Sequence, residues 1–208
     1  DKPLRIMVGA SPGGGTDILA RMLADRLGPV LRQTVVVENR PGASNTIAAE
    51  MTAKAAPDGY TLLLATNTGQ AVAPHLLKLK YDPLKDLQPL GLVAVMPNVL
   101  VVSASAPYRS VAELVKAMTD KPGELKYASS GIGSTQHIVG EAFNLVTRTK
   151  AIHVPYKGSS QAHLDIIGGS VDLMFDTTSS AMGQIRGGKF RPLAVTTPQR
   201  AAELPDVP

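Results

Sequence analysis

No cysteine and no tryptophan occur among the 208 residues, and only 4% are aromatic. The first absence removes disulfides, thiolate metal sites and a cysteine nucleophile together, and it fits any compartment. The shortage of rings leaves few platforms on which bases could stack, which argues against nucleic acid as a partner. The net charge of +4 favours anionic partners slightly, but the basic residues are scattered and form no stripe. No apolar run reaches the roughly 18 residues that a membrane span needs. The longest, "LGLVAVMPNVLVVSASA", is interrupted by Pro97 and Asn98 and reads as two buried strands. The opening "DKPLRIMV" has no leader pattern; it reads as the start of a mature or trimmed chain and leaves export open.

What is present is an alternation. With 44% hydrophobic and 18% charged residues, the composition is that of a globular protein with a sizeable core. "LRIMV" predicts a strand, and Ile18, Leu19, Met22, Leu23 and Leu27 recur behind it at helical spacing. "TVVVE", a helix through "TIAAEMTAKAA", the turn "PDGY" and the strand "TLLLAT" follow. A β-α-β-α-β order predicts an α/β fold with a mostly parallel sheet and helices on both faces. Near residue 90 the pattern breaks: "GLVAVMPNVLVVS" reads as nearly all strand, with the chain crossing into a second domain there. Alternation then resumes. Val111, Leu114, Val115 and Met118 mark one helix, and Ile138, Val139, Ala142, Phe143 and Val146 mark another. "AIHVPY", "QAHLDIIGG", "VDLMFD" and "FRPLAVTT" carry the pattern on, and "AELPDVP" follows the last strand with no closing helix.

Two glycine loops occupy the same strand-to-helix position, "ASPGGGTD" in the first half and "SSGIGST" in the second. Such a loop at a helix N-terminus can point backbone N–H groups at a carboxylate or phosphate. The first can equally be a plain turn with Thr16 or Asp17 as N-cap. Nucleotide motifs fail on detail. Gly14 is followed by Gly15 and Thr16 where a Walker loop needs Gly-Lys-Ser/Thr, and "GIGSTQ" has a glutamine where a dinucleotide fingerprint has its third glycine. Ser134 and His137 share one helix in a poor geometry for a nucleophile and base. His137 and Glu141 could share a metal, but no third ligand is apparent. His75 and His163 read as surface or packing residues, and His153 as a strand residue with a local hydrogen bond. "ATNTG", "VPYKGS" and "MFDTTSS" add hydroxyls, amides, Lys157 and Asp176 at predicted C-terminal strand ends, where open α/β sheets bind ligands. That inventory suits recognition better than bond making.

"PGGGTDILAR", "VVVENRPGAS", "DGYTLLLAT", "YASSGIGSTQH", "VPYKGSSQAHLDIIGGSVDLMFD" and "RPLAVTT…R…ELPDVP" together closely resemble the substrate-binding proteins of tripartite tricarboxylate transporters, also called Bug proteins. The resemblance runs through the whole chain in order. It implies a two-lobed periplasmic binding-protein fold, with residues 1–97 as first lobe, 98–197 as second lobe and 198–208 starting back to the first. The family continues beyond such a point, so the first lobe is expected to be incomplete here.

The resemblance also implies a ligand gripped between the lobes. The first loop would supply Ser11, Pro12, Gly13, Gly14, Gly15, Thr16 and Asp17, with Asn67 and Thr68 lining the same lobe. The second would supply Ser130, Gly131, Gly133, Ser134 and His137, with Tyr156, Lys157 and Asp176 at the rim. Asp176 would accept from an amino group or ring nitrogen of the ligand, or else cap a helix starting near Ser179. Ala10 and Ser11, and Ser44 where many relatives carry glycine, depart from the family pattern. The implied protein is a non-enzymatic, monomeric periplasmic receptor with no cofactor and no metal. It takes a dicarboxylate, amino acid or aromatic acid and delivers it to membrane transporter subunits, hinging near Pro97 and Thr196–Pro198. A sensor for a signalling partner and, further off, an enzyme are the alternatives.

Overall fold

The structure, a computed structural model describing residues 2–208, contains two separate β-sheets. The first is built from β1 (Leu4–Val8), β2 (Val35–Asn39) and β3 (Thr61–Leu64) in the order β2-β1-β3, every pair parallel. Parallel neighbours need a crossover, supplied by helices α1 (Gly15–Leu31) and α2 (Thr46–Ala53). Ile6 and Val8 point to the same side of β1 because strand side chains alternate. They close a small core with Ala20, Ala24 and Leu64.

A left-handed stretch joins β2 to α2: Gly42, Ala43, Ser44 and Asn45 have φ of 120°, 44°, 55° and 70°. After β3 the chain passes through a π turn at Thr68–Val72 into the short helix α3 (Ala73–Leu76).

The second sheet has β4 (Asn98–Ser103), β5 (Lys126–Ser129), β6 (Ile152–Pro155), β7 (Leu173–Thr177) and β8 (Phe190–Val195), ordered β6-β5-β7-β4-β8. β5 pairs in parallel with β6 and β7, and β4 runs against both β7 and β8. The expected α/β architecture with mostly parallel sheets is therefore observed, with β4 as the reversed strand. Helices α4 (Val111–Asp120), α5 (Thr135–Thr147), α6 (Ser159–Ile167) and α7 (Thr178–Arg186) flank it. All six residues of β4 are buried. Val99 and Val101 pack with Ala128, Ile166 and Met174 on one face, while Leu100 and Val102 pack with Leu114, Met118 and Tyr127 on the other. Two covered faces explain why "NVLVVS" is continuously apolar rather than alternating.

The segment before it departs from expectation. Only Asn98–Ser103 of "GLVAVMPNVLVVS" is strand, and residues 89–97 have no regular structure. Leu90, Leu92 and Val95 are 79%, 83% and 82% exposed. Among the described residues no neighbouring strand pairs with this stretch, so its backbone joins no ladder. The start of β4 and the residue after β8 lie side by side: the Thr196 N–H donates to the Asn98 carbonyl at 2.9 Å, and the Asn98 N–H to the Thr196 hydroxyl at 3.0 Å. No helix among the described residues is long and apolar enough to cross a membrane.

Candidate ligand-binding site

Four strands lead into helices, β1, β5 and β6 by short loops into α1, α5 and α6, and β7 directly into α7. Those four helix starts meet at one cavity of about 40 Å³. Gly14, Gly15 and Thr16 line it from α1, Ser130 and Gln136 from the β5 side, Gly158 and Ser159 from α6, and Thr177 from α7. First-turn N–H groups have no acceptor within their own helix, and each helix start carries about half a positive charge. Lys157 is the one charged residue in the lining. Four helix starts thus face the cavity together with the hydroxyls of Thr16 and Thr177, while the Ser159 and Ser130 hydroxyls donate to Asp176 and Gln136.

Both glycine loops reach it by the same backbone device. Gly13 and Gly133 hold nearly the same left-handed φ, +78° and +76°. Helix α1 begins at Gly15 with Gly14 as N-cap and no side-chain cap, so neither Thr16 nor Asp17 caps it. A Cβ on Gly15 would lie 2.4 Å from the Thr177 hydroxyl and 2.6 Å from that of Ser179, across the gap between the two sheets. Three hydrogen bonds also cross that gap. Ser11 Oγ donates to the Lys157 carbonyl at 2.9 Å, Ser160 Oγ to the Pro12 carbonyl at 2.7 Å, and Ser44 Oγ to the Ile132 carbonyl.

Behind the loops stand three braces. Asp17 is 2% exposed and accepts from the Gly13 N–H, Arg21 Nε and Asn39 Nδ2 at 2.9–3.0 Å. Burial alone would raise its carboxyl, but Arg21, the Gly13 amide and Asn39 together hold it below the usual range. Asp176 is fully buried; it accepts from Ser159 Oγ at 2.8 Å, from the Thr177 N–H at 2.9 Å, and pairs with His163 Nε2 at 2.7 Å. The third brace is a stack of rings, His137 on His153 at 4.1 Å and His153 on Tyr127 at 4.9 Å. His153 Nε2 is hydrogen-bonded to Ser129 Oγ at 2.6 Å, and His137 Nδ1 accepts from the Gly133 N–H at 3.1 Å. Burial, and then the neighbouring His137, lower His153 to about 4.

The residues named from the sequence therefore divide. Gly14, Gly15, Thr16, Ser130 and Lys157 line the cavity. Ser11 and Pro12 join the two halves beside it. Gly13, Asp17, Ser134 and His137 act from behind the loops, Ser134 as the N-cap of α5. Gly133 packs against α3, where a Cβ would lie 2.9 Å from Leu76. Asn67 and Thr68 lie outside the cavity lining, Thr68 buried in the π turn. Asp176 is not at a rim and does not cap the helix near Ser179; helix α7 starts at Thr178 and the carboxylate is enclosed by Ser159, His163 and Thr177. His163, read as surface or packing, is a buried partner of that carboxylate. His153 does make the expected local hydrogen bond.

Sequence reasoning missed Asn45, Gln136, Gly158, Ser159 and Thr177 in the lining. Ser159 and Thr177 sat inside motifs already marked by their strand-end position. Asn45 had no local signal: its left-handed backbone and its fit against Gly9 (a Cβ there would lie 2.5 Å from Asn45 Cβ) are tertiary facts.

A second chamber of about 350 Å³ adjoins the first and shares Asn45, Ser130 and Lys157 with it. Gly131 and Tyr156 line this chamber rather than the first. The Tyr156 hydroxyl donates to Asp165 at 2.6 Å, and burial together with that bond pushes it up to about 12.

Residues 19–208 match the family described as the tripartite tricarboxylate transporter family receptor. A UPF0065 protein of Bordetella bronchiseptica is 40% identical over 208 residues, which is all of this chain and 62% of that protein. The chain therefore spans less than two thirds of that relative's length. Among solved structures, an R. palustris protein with adipate is 38% identical with a TM-score of 0.95, covering 99% of this chain and 69% of that one. MatC from Rhodopseudomonas palustris with bound malate is 30% identical with a TM-score of 0.91, covering 99% and 70%.

Proposed function

The chain belongs to the tripartite tricarboxylate transporter receptor family, and from that premise we propose that it is a periplasmic solute receptor that captures a small organic acid and hands it to a membrane transporter. The observation that carries this is the convergence of four helix starts on one cavity with a single lysine and no carboxylate in its lining. Opposed helix ends favour an anion whose negative charge is desolvated on closure. Adipate and malate in the similar structures support an organic acid as that anion.

In this account residues 1–97 and 98–197 form the two lobes; residues 198–208, expected to start back toward the first, instead pack Ala201, Leu204 and Val207 into the core of the second sheet. The lobes rotate about crossings near Pro97 and Thr196–Pro198. Gly15 and Thr16 bring donors from one lobe; the Thr177 hydroxyl and Lys157 bring them from the other, while the Ser159 and Ser130 hydroxyls already donate to Asp176 and Gln136. A ligand touching both sides favours the closed form by as much as it binds closed better than open.

Binding without turnover is the expected chemistry. The Ser129–His153 pair cannot serve as an exposed nucleophile and base, because Ser129 is completely buried and also bonded to the Gly131 carbonyl.

A thermal-shift screen of the full chain against mono-, di- and aromatic carboxylates tests the proposal, with a nucleotide and a sugar as controls. Ligand at a hundred times its dissociation constant should stabilise the fold by about 2.7 kcal/mol. A shift with carboxylates alone supports capture of an acid; stabilisation by the sugar or nucleotide and by no acid refutes it. Delivery is tested separately, by whether membrane subunits of a tripartite transporter retain the loaded chain.

A further inference from the structure

The two chambers differ in size and in chemistry. At about 40 Å³ the inner one holds a carboxylate group and little else, since a water needs ~10–15 Å³ on the same measure. At about 350 Å³ the outer one falls within the ordinary range for small-ligand sites. The inner lining is polar throughout except Ala10. The outer one adds Ala43, Leu77, Ile132 and Pro155, with Leu77 and Ile132 facing it from opposite lobes. Both side chains are partly exposed, 38% and 54%, so an apolar body lying between them would remove apolar surface from water.

We propose that the outer chamber is a separate subsite for the body of the ligand, selecting carboxylates that carry an extended apolar chain or ring over compact, highly charged ones. The inference rests on the carboxylate reading of the inner cavity. A single carboxylate fills that cavity, and the next atoms pass the waist formed by Asn45, Ser130 and Lys157 to lie between Leu77 and Ile132. A second carboxylate is accepted only at the far, solvent-open end. Two further carboxylates on a short branched acid would instead lie among Ala43, Leu77, Ile132 and Pro155. Lys157 is the one charged residue there to meet them, and burying unpaired charge is strongly disfavoured.

The test is a titration-calorimetry series on the full chain with acetate, butanoate, hexanoate, adipate and citrate. Each methylene removed from water is expected to tighten binding by about fourfold. Hexanoate should therefore bind at least tenfold more tightly than acetate, and adipate at least tenfold more tightly than citrate. Ile132→Asp, at an exposed position that tolerates a polar residue, should flatten the acetate-to-hexanoate series. Leu77→Asp should do the same from the other lobe.

A flat series in the unmodified chain, or citrate as the tightest of the five, overturns the body subsite and leaves the carboxylate receptor standing. A steep series that neither variant flattens also overturns it, since the body then lies elsewhere. If none of the five acids binds, the carboxylate reading falls, and the subsite with it.

Discussion

Gly15→Ala should abolish ligand capture without weakening the ligand-free fold. The added methyl would sit 2.4 Å from the Thr177 hydroxyl and 2.6 Å from the Ser179 hydroxyl, where ordinary packing needs about 3.5 Å. The two lobes must then part by roughly 1 Å, or Thr177 and Ser179 must turn aside. Either change pulls α7 away from the α1 loop. Hydrogen bonds from amides to a charged carboxylate contribute about 1.5–3 kcal/mol each, so losing two costs about 3–6 kcal/mol. That corresponds to a 10²- to 10⁴-fold rise in Kd, on the order of the range calorimetry reads easily.

Within its own lobe the substitution is benign. Gly15 is the first residue of α1 and does not have a positive φ, and alanine is favoured over glycine in helices by up to about 1 kcal/mol. Calorimetry with the tightest acid, paired with ligand-free melting curves, separates the two effects. Affinity within threefold of the unmodified chain would refute the argument that closure is gated at Gly15. A ligand-free melting temperature lowered by many degrees would show that the glycine serves packing instead.

Three further perturbations test the supports behind the loops. Gly140→Ala places a methyl 2.3 Å from Tyr127 Cε2, and overpacking a ring that is 1% exposed should cost about 1–3 kcal/mol in urea unfolding; no loss would mean that the ring moves freely. Asp176→Ala leaves His163, Ser159 and the Thr177 N–H without their acceptor, and should cost at least about 3 kcal/mol at 1–3 kcal/mol per stranded group. A cost below about 1 kcal/mol would show that water replaces the carboxylate.

Acid should weaken the chain through His153. Its folded value of about 4 lies below the ordinary 6.5, so the unfolded chain takes up a proton that the folded chain resists. Stability is fully present above pH 6.5 and falls as the pH drops from 6.5 toward 4. Melting temperatures at pH 7.5 and 4.5 should differ less in His153→Gln than in the unmodified chain; equal differences would exclude this group.

The β-α alternation, the fully buried strand at Asn98–Ser103 and the two glycine loops at matching strand ends were all legible in the sequence. Each depends on residues within a few positions of one another: apolar spacing sets helix or strand, and glycine permits the left-handed turns at Gly13 and Gly133. The role of Asp176 was not legible, because its partners Ser159 and His163 reach it only once α6 packs beside β7. Nor was that of Asn45, whose left-handed backbone packs closely against Gly9 from a different loop. The extended stretch before Pro97 looked like a strand, but a strand exists only where a neighbour supplies hydrogen bonds. Even the cavity is a product of distance in sequence: Ser11 meets Lys157, 146 residues away, and Pro12 meets Ser160. Local physics chose the loops and the helices behind them; the packing of two sheets decided which of their atoms share one pocket.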